Sequence, residues 1–313
     1  VPAVNSALVL KVSSLDIDSY LPNIGERLAS FMNLQGTKVQ DENNSLLEWG
    51  DSDVYTYVDA DIELEVDALI AGGNIFRGIS TDLSLEGGSL LIRNARIDDF
   101  AGTMVSASGT ISDLGTNTLL DDISFRISTN ELSRINRTLG LGMPRLPIFD
   151  GQITLDANMS GALEDIDIEV FASAGDLKVR TVGSIQNVIF MPDFNLEVSL
   201  RHPEYIEFMR SIDLGQPPGA QIVGPVDLAG VVSGKKANIR IRDLVAEIGA
   251  NRIITSISYN RASGRPRLAG AIALANFDFD QLFPPDATQQ LARNSRSRSH
   301  RDDDAVSARW VRE

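Results

Sequence analysis

A chain whose apolar residues return at every second position has little choice of local structure. In Asp61-Ile62-Glu63-Leu64-Glu65-Val66-Asp67-Ala68-Leu69 the even positions are apolar, and the odd ones up to 67 carry carboxylates. A pleated strand sends successive side chains to opposite sides, so this run predicts a strand with one dry and one wet face. The same period returns in Leu83-Ser84-Leu85, Ile153 to Met159, Leu163 to Val170, Leu196 to Leu200 and Ile239-Arg240-Ile241. Gly87-Gly88, Asp113-Leu114-Gly115 and Ser263-Gly264 separate the runs as turns. Clean alternation favours antiparallel pairing, because parallel strands are covered on both faces and read as continuous apolar stretches.

Helical pattern is scarce and confined to short stretches after strands: Tyr20–Met32, Asn130–Leu139, Pro203–Met209 and Asp286–Ala292. Ser128-Thr129-Asn130-Glu131 supplies N-cap residue types, and Pro203 suits a first helical turn. Their regular spacing points to a repeat, which the strands confirm. The run from Gly151 to Gly161 recurs from Gly224 to Gly234, 73 residues on. Phe194 to Leu200 matches Leu268 to Leu274 at an offset of 74, and Ile123 to Thr129 matches Phe194 to Leu200 at 71. The corner Leu15-Asp16-Ile17-Asp18-Ser19-Tyr20-Leu21-Pro22 returns as Phe277-Asp278-Phe279-Asp280-Gln281-Leu282-Phe283-Pro284.

The chain therefore divides into the end of an earlier unit (1–36), a polar stretch (37–53) and strand-rich units at 54–146, 147–216 and 217–292. A charged linker and the start of a further unit follow at 293–313. The opening Val1-Pro2 and the ending Trp310-Val311-Arg312-Glu313 read as an internal piece of a longer protein.

Composition removes several classes of function. With no cysteine, disulfides, thiolate zinc sites and iron–sulfur clusters are excluded. A formal charge of −15 argues against duplex nucleic acid, whose binding rests on Lys and Arg neutralising phosphates. No run approaches the ~20 apolar residues that span a bilayer.

The Asp-x-Asp corners at 16–22 and 278–284, Gly87-Gly88 with the Ala101–Gly109 strand, and the Gly…Ser-Gly strands at 151–161 and 224–234 resemble the AsmA family. These are bacterial envelope proteins related to TamB and to bridge-like lipid transfer proteins. Ala308-Arg309-Trp310 is similar to the start of that family's last strand-rich lobe. The resemblance implies a long curved sheet with an apolar inner surface, in the periplasm of a Gram-negative bacterium, anchored to the inner membrane. It implies phospholipid traffic toward the outer membrane, with membrane contact made by parts outside this stretch and envelope proteins as partners. It carries over no catalytic residue and no cofactor.

Other constellations have simpler readings. The pairs Asp16/Asp18, Asp165/Asp167 and Asp278/Asp280 alternate with apolar residues, as a solvent-facing row does, and lack a calcium-loop pattern. His202 and His300 have no Cys or second His nearby to complete a metal set, and no Gly-x-Ser-x-Gly elbow is present. Gly230 to Lys236 has the wrong spacing for a phosphate loop and reads as a hairpin turn with exposed lysines. The run Arg293, Arg296, Arg298, His300, Arg301 reads as a solvated loop beside Asp302-Asp303-Asp304. Leu21, Phe31, Leu139, Phe208, Leu282 and Phe283 dock the short helices on the sheet.

A long sheet with one apolar face must cover that face with a second sheet, with helices or with a ligand. It either closes into a sandwich or curls into a trough for acyl chains. The expectation adopted is the trough: a mainly β, elongated, curved antiparallel sheet with short helices at strand corners. The residues expected to line it are Ile62, Leu64, Val66, Leu83, Leu85, Ile153, Leu155, Leu196, Val198, Ile239 and Ile241. The corresponding function is non-catalytic, needs no cofactor or metal, and takes phospholipid acyl chains as partners. The rival is a structural or protein-interaction β-sandwich of the cell envelope.

Overall fold

The computed structural model describes residues 4–19, 58–114, 117–140, 142–188, 192–213, 222–235, 238–261 and 266–275. They form one curved, unclosed sheet of 14 strands, and the strands lie side by side in chain order. In order these are β1 (Val4–Asp16), β2 (Val58–Ala71), β3 (Asn74–Glu86), β4 (Ser89–Phe100), β5 (Thr103–Ser112) and β6 (Leu119–Thr129). After helix α1 (Leu132–Leu139) come β7 (Ile153–Ala162), β8 (Asp165–Ala174), β9 (Leu177–Gln186) and β10 (Asp193–His202). Helix α2 (Tyr205–Ser211) precedes β11 (Val226–Lys235), β12 (Asn238–Ile248), β13 (Asn251–Asn260) and β14 (Arg267–Ala275).

The sheet continues past the unit boundaries expected at 146/147 and 216/217, with β6 pairing β7 and β10 pairing β11. Thirteen steps at about 4.8 Å make it roughly 60 Å long. From β2 onward every neighbouring pair is antiparallel, as the alternation implied. β1 departs from that expectation and pairs parallel with β2, Leu8 beside Ile62 and Leu10 beside Leu64. Parallel neighbours need a crossover of a dozen or more residues. The stretch between Asp16 and Val58 is long enough to supply it.

The helices are shorter than their sequence patterns, beginning at Leu132 and Tyr205. Gly140 ends α1 in the left-handed conformation, with φ +62°, and donates its N–H to the Asn136 carbonyl. The Asn136 side chain then holds the outgoing chain through both polar atoms of Met143, at 2.9 and 3.0 Å. The helix patterns at Tyr20–Met32 and Asp286–Ala292 lie outside the described residues. So do the stretches 37–53 and 293–313, Asp278 and Asp280, His300 and the basic run, and corner residues Leu21, Phe31, Leu282 and Phe283.

Gly230 and Gly234 correct the hairpin-turn reading, since both lie inside β11. A Cβ on Gly230 would stand 2.9 Å from the Leu244 Cα, so the residue type reflects close backbone approach. Lys235 closes the strand and pairs with Asp193 at 3.2 Å.

Candidate functional site

Cross-strand partners share a face, so the pairing register sorts every side chain. One row runs Leu85, Leu90, Ile111, Leu120, Gly161, Ile166, Ile185, Phe194, Gly234, Ile239, Tyr259, Leu268 from β3 to β14. A second, on the same face, runs Val12, Val66, Ile79, Ile97, Val105, Ile127, Leu155, Ala172, Val179, Leu200, Leu228, Ala246, Ile253, Leu274. Between them lie Ile62, Leu83 and Ile92, then Ile123, Met159, Ile168, Gly183, Leu196, Val232, Ile241 and Ile257. Leu64 and Val198 fill the remaining row with smaller residues, and Ile153 sits one row beyond Leu155. Every residue expected to line the trough thus falls on a single face.

The opposite face is polar and ion-paired. Arg93 bonds Asp82 at 2.7 Å and Asp61 at 3.2 Å, Lys11 meets Glu65 at 2.7 Å, and Arg180 meets Glu169 at 2.7 Å. The Ser84 hydroxyl and the Arg93 guanidinium hold the Asp61 carboxyl below the usual carboxylate range. Such solvent-washed pairs contribute little stability each, but they hold this side of the sheet in water.

Apolar residues stand out on both faces, Phe171 on the polar one at 43% exposure and Leu274 on the apolar one at 47%. On the apolar face Leu64, Ile92, Leu155, Leu196 and Ile241 are only half-buried, and most of their shelter comes from neighbouring strands. No second sheet packs across this face among the described residues, whose strands all belong to one sheet.

Glycines shape the face. Gly183 has φ +155° in mid-strand, and a Cβ there would overlap the Asn195 carbonyl oxygen of β10. Strand backbones meet closely at that point, which lets the sheet bend.

Among the described residues, α2 covers one part of this face. Beneath α2, Tyr205, Ile222 and Val226 form a buried cluster joined by Ile206, Phe208, Met209, Leu228 and Ile248. Burial pushes the Tyr205 phenol up from its ordinary pKa. His202, 5% exposed, accepts the Glu204 N–H on Nδ1 at 3.1 Å and leans on the Phe208 ring at 5.8 Å. That histidine pins the strand-to-helix corner. Phe208 docks its helix as expected, while Leu139 is half-buried in a helix with no fully buried residue.

Asp165 and Asp167 lie exposed on the polar side, but Asp16 and Asp18 correct the solvated-row reading. Asp18 accepts the N–H groups of Gly72 and Gly73 at 2.6 and 2.8 Å, clasping the β2–β3 turn. Asp16 accepts the Ser19 hydroxyl at 2.9 Å.

A depression of about 650 Å³ lies on the polar face, over Phe171, Lys178, Arg180, Arg201, Asp227 and Arg252. Arg180 covers the Phe171 ring at 5.5 Å, and Arg201 pairs with Asp227 at 3.4 Å. It is an open dish floored by one strip of apolar residues. The far longer apolar rows opposite are the stronger candidate, because they span the sheet.

The described residues contain no cluster of His, Asp or Glu suited to a metal ion, and no helix long and apolar enough to cross a membrane. The chain matches no known family model, no curated protein and no solved structure.

Proposed function

We propose that this chain is a non-catalytic section of a lipid conduit, in which acyl chains lie along the apolar rows and head groups stay at the open side. The reading rests on one observation: a continuous apolar face on a single curved sheet, with no second sheet across it among the described residues. Fully burying a Leu, Ile or Val side chain contributes roughly 1.5–3 kcal/mol, so a guest that completes the half-burial of these rows is favoured. Hydrocarbon contacts carry no directional bonds, which suits many lipids and permits sliding. With the resemblance to AsmA proteins, the cargo is phospholipid and the setting the periplasm of a Gram-negative bacterium. On that reading the full-length protein is held at the inner membrane and serves outer-membrane assembly. A closed sandwich, the rival architecture, requires a second layer over the same rows.

The test is extraction of the purified chain into organic solvent, followed by mass spectrometry. Phospholipid should co-purify, and Leu64→Asp or Val198→Asp should deplete it while circular dichroism stays β-rich. A lipid-free chain that also takes up no phospholipid from vesicles contradicts the proposal.

A further inference from the structure

A cleft of about 470 Å³ opens at the strand ends, between α1, the chain that leads from it to β7, and Asp213 just past α2. Its walls are held from within. The Asn136 amide clamps Met143 through both backbone polar atoms. Phe149 and Asp150 then close a tight turn by donating their N–H groups to the Leu146 and Pro147 carbonyls. Half-buried Leu132, Met143, Leu146 and Phe149 make the wall apolar. Shortly after Asp150 the chain enters β7 at Ile153, on the apolar face, so the cleft adjoins one end of the rows.

The charges of this cleft stand apart. Arg137 and Arg145 line it together with Asp150 and Asp213, and none of these four side chains forms an ion pair or a hydrogen bond. On the polar face, by contrast, cations are matched: Arg93 with Asp61 and Asp82, Arg180 with Glu169, Arg201 with Asp227. Cations and carboxylates left unjoined beside an apolar wall suit a ligand that brings both charges itself. We propose that the cleft binds the phosphoethanolamine head group of a phospholipid, its phosphate on Arg137 and Arg145 and its ammonium on Asp150 and Asp213. Resting on the conduit reading, this adds the class of lipid carried.

The four side chains discriminate among head groups. Guanidinium forks match phosphate oxygens, and a primary ammonium offers three N–H donors to carboxylates. A choline offers none. A glycerol head group brings no cation, so its phosphate meets the two carboxylates unshielded. From the cleft, acyl chains lead onto the rows that begin at Ile153. All four charged groups are exposed, so each contact is weak and the preference is about fivefold.

The chain has no cysteine, so bimane on Ser133→Cys reports from the cleft wall alone. Titrated with monomeric dihexanoyl lipids, the labelled chain should bind phosphatidylethanolamine with a Kd about fivefold below that of phosphatidylglycerol. Asp150→Asn combined with Asp213→Asn should make the two equal. Arg137→Gln combined with Arg145→Gln should weaken both. Soluble phosphoethanolamine, lacking the hydrocarbon, should bind more than tenfold more weakly than its lipid. Equal affinity of the parent chain for the two lipids overturns the proposal, as does a preference that survives the two asparagine substitutions. Soluble phosphoethanolamine binding as tightly as the lipid gives the cleft to a free zwitterion and overturns it too. If phospholipid still co-purifies in any of these cases, the conduit stands; a chain that binds no lipid at all overturns both.

Discussion

Val226 and Leu268 lie on the same face of the same sheet, yet one is 2% exposed and the other 75%. Val226 lies mid-sheet beneath the α2 cluster, whereas Leu268 lies on the end strand β14. At the corner below α2, a few side chains seal their row into a dry cluster; over the remaining rows nothing comparable sits on the face among the described residues. The corner shows that this sequence can build a cover where one is needed. Among the described residues the long rows carry no such cover, and an apolar surface of that extent is a candidate contact surface.

Tyr205→Ala, at the covered corner, should cost about 3 kcal/mol in urea unfolding, the toll of emptying an aromatic site. An equal loss from truncating open-face residues such as Leu196 would erase the distinction between the regions. Gly183→Ala should cost roughly 2 kcal/mol, since its Cβ meets the β10 backbone at an unfavourable φ. That would place the stability of the open region in backbone fit rather than in side-chain cover. Leu64→Asp should cost only about 1 kcal/mol in the lipid-free chain, because its site is half-wet already.

The smallest effect is one of pH. The folded environment lowers the Asp61 pKa, so its clasp stabilises above the unfolded carboxylate value and is lost as pH falls through the folded one. Unfolding curves of the parent and Asp61→Asn should differ near neutrality and converge in acid. A difference that persists in acid would assign the effect to something other than the carboxylate charge.

Strand positions and facing were readable in the sequence because alternation encodes them directly, as at Ile62-Glu63-Leu64-Glu65-Val66. What escaped lies where alternation is interrupted. Asp122 and Asp243 take φ near +50° at bulges opposite Gly109 and Gly230. A bulge inserts one residue and breaks the period of two, so Ile123 and Leu244 fall out of pattern with their strands. Register across strands restores them, and also adds Ile92, Ile97, Val105 and Ile168 to the face. The parallel β1 was unreadable, since its neighbour is chosen by a crossover rather than by its own residues. Asp18 escaped because its partners are backbone N–H groups more than fifty residues away.

Acyl chains held on one side of this sheet would separate two adjacent residues, Val198 and Ser199. In the cysteine-free chain, Val198→Cys labelled with bimane reports from the apolar face and Ser199→Cys from the polar one. On addition of phospholipid carrying a nitroxide on its acyl chain, strong quenching is expected at 198 and little at 199. Equal quenching at both positions, or none at either, would contradict the proposed contact.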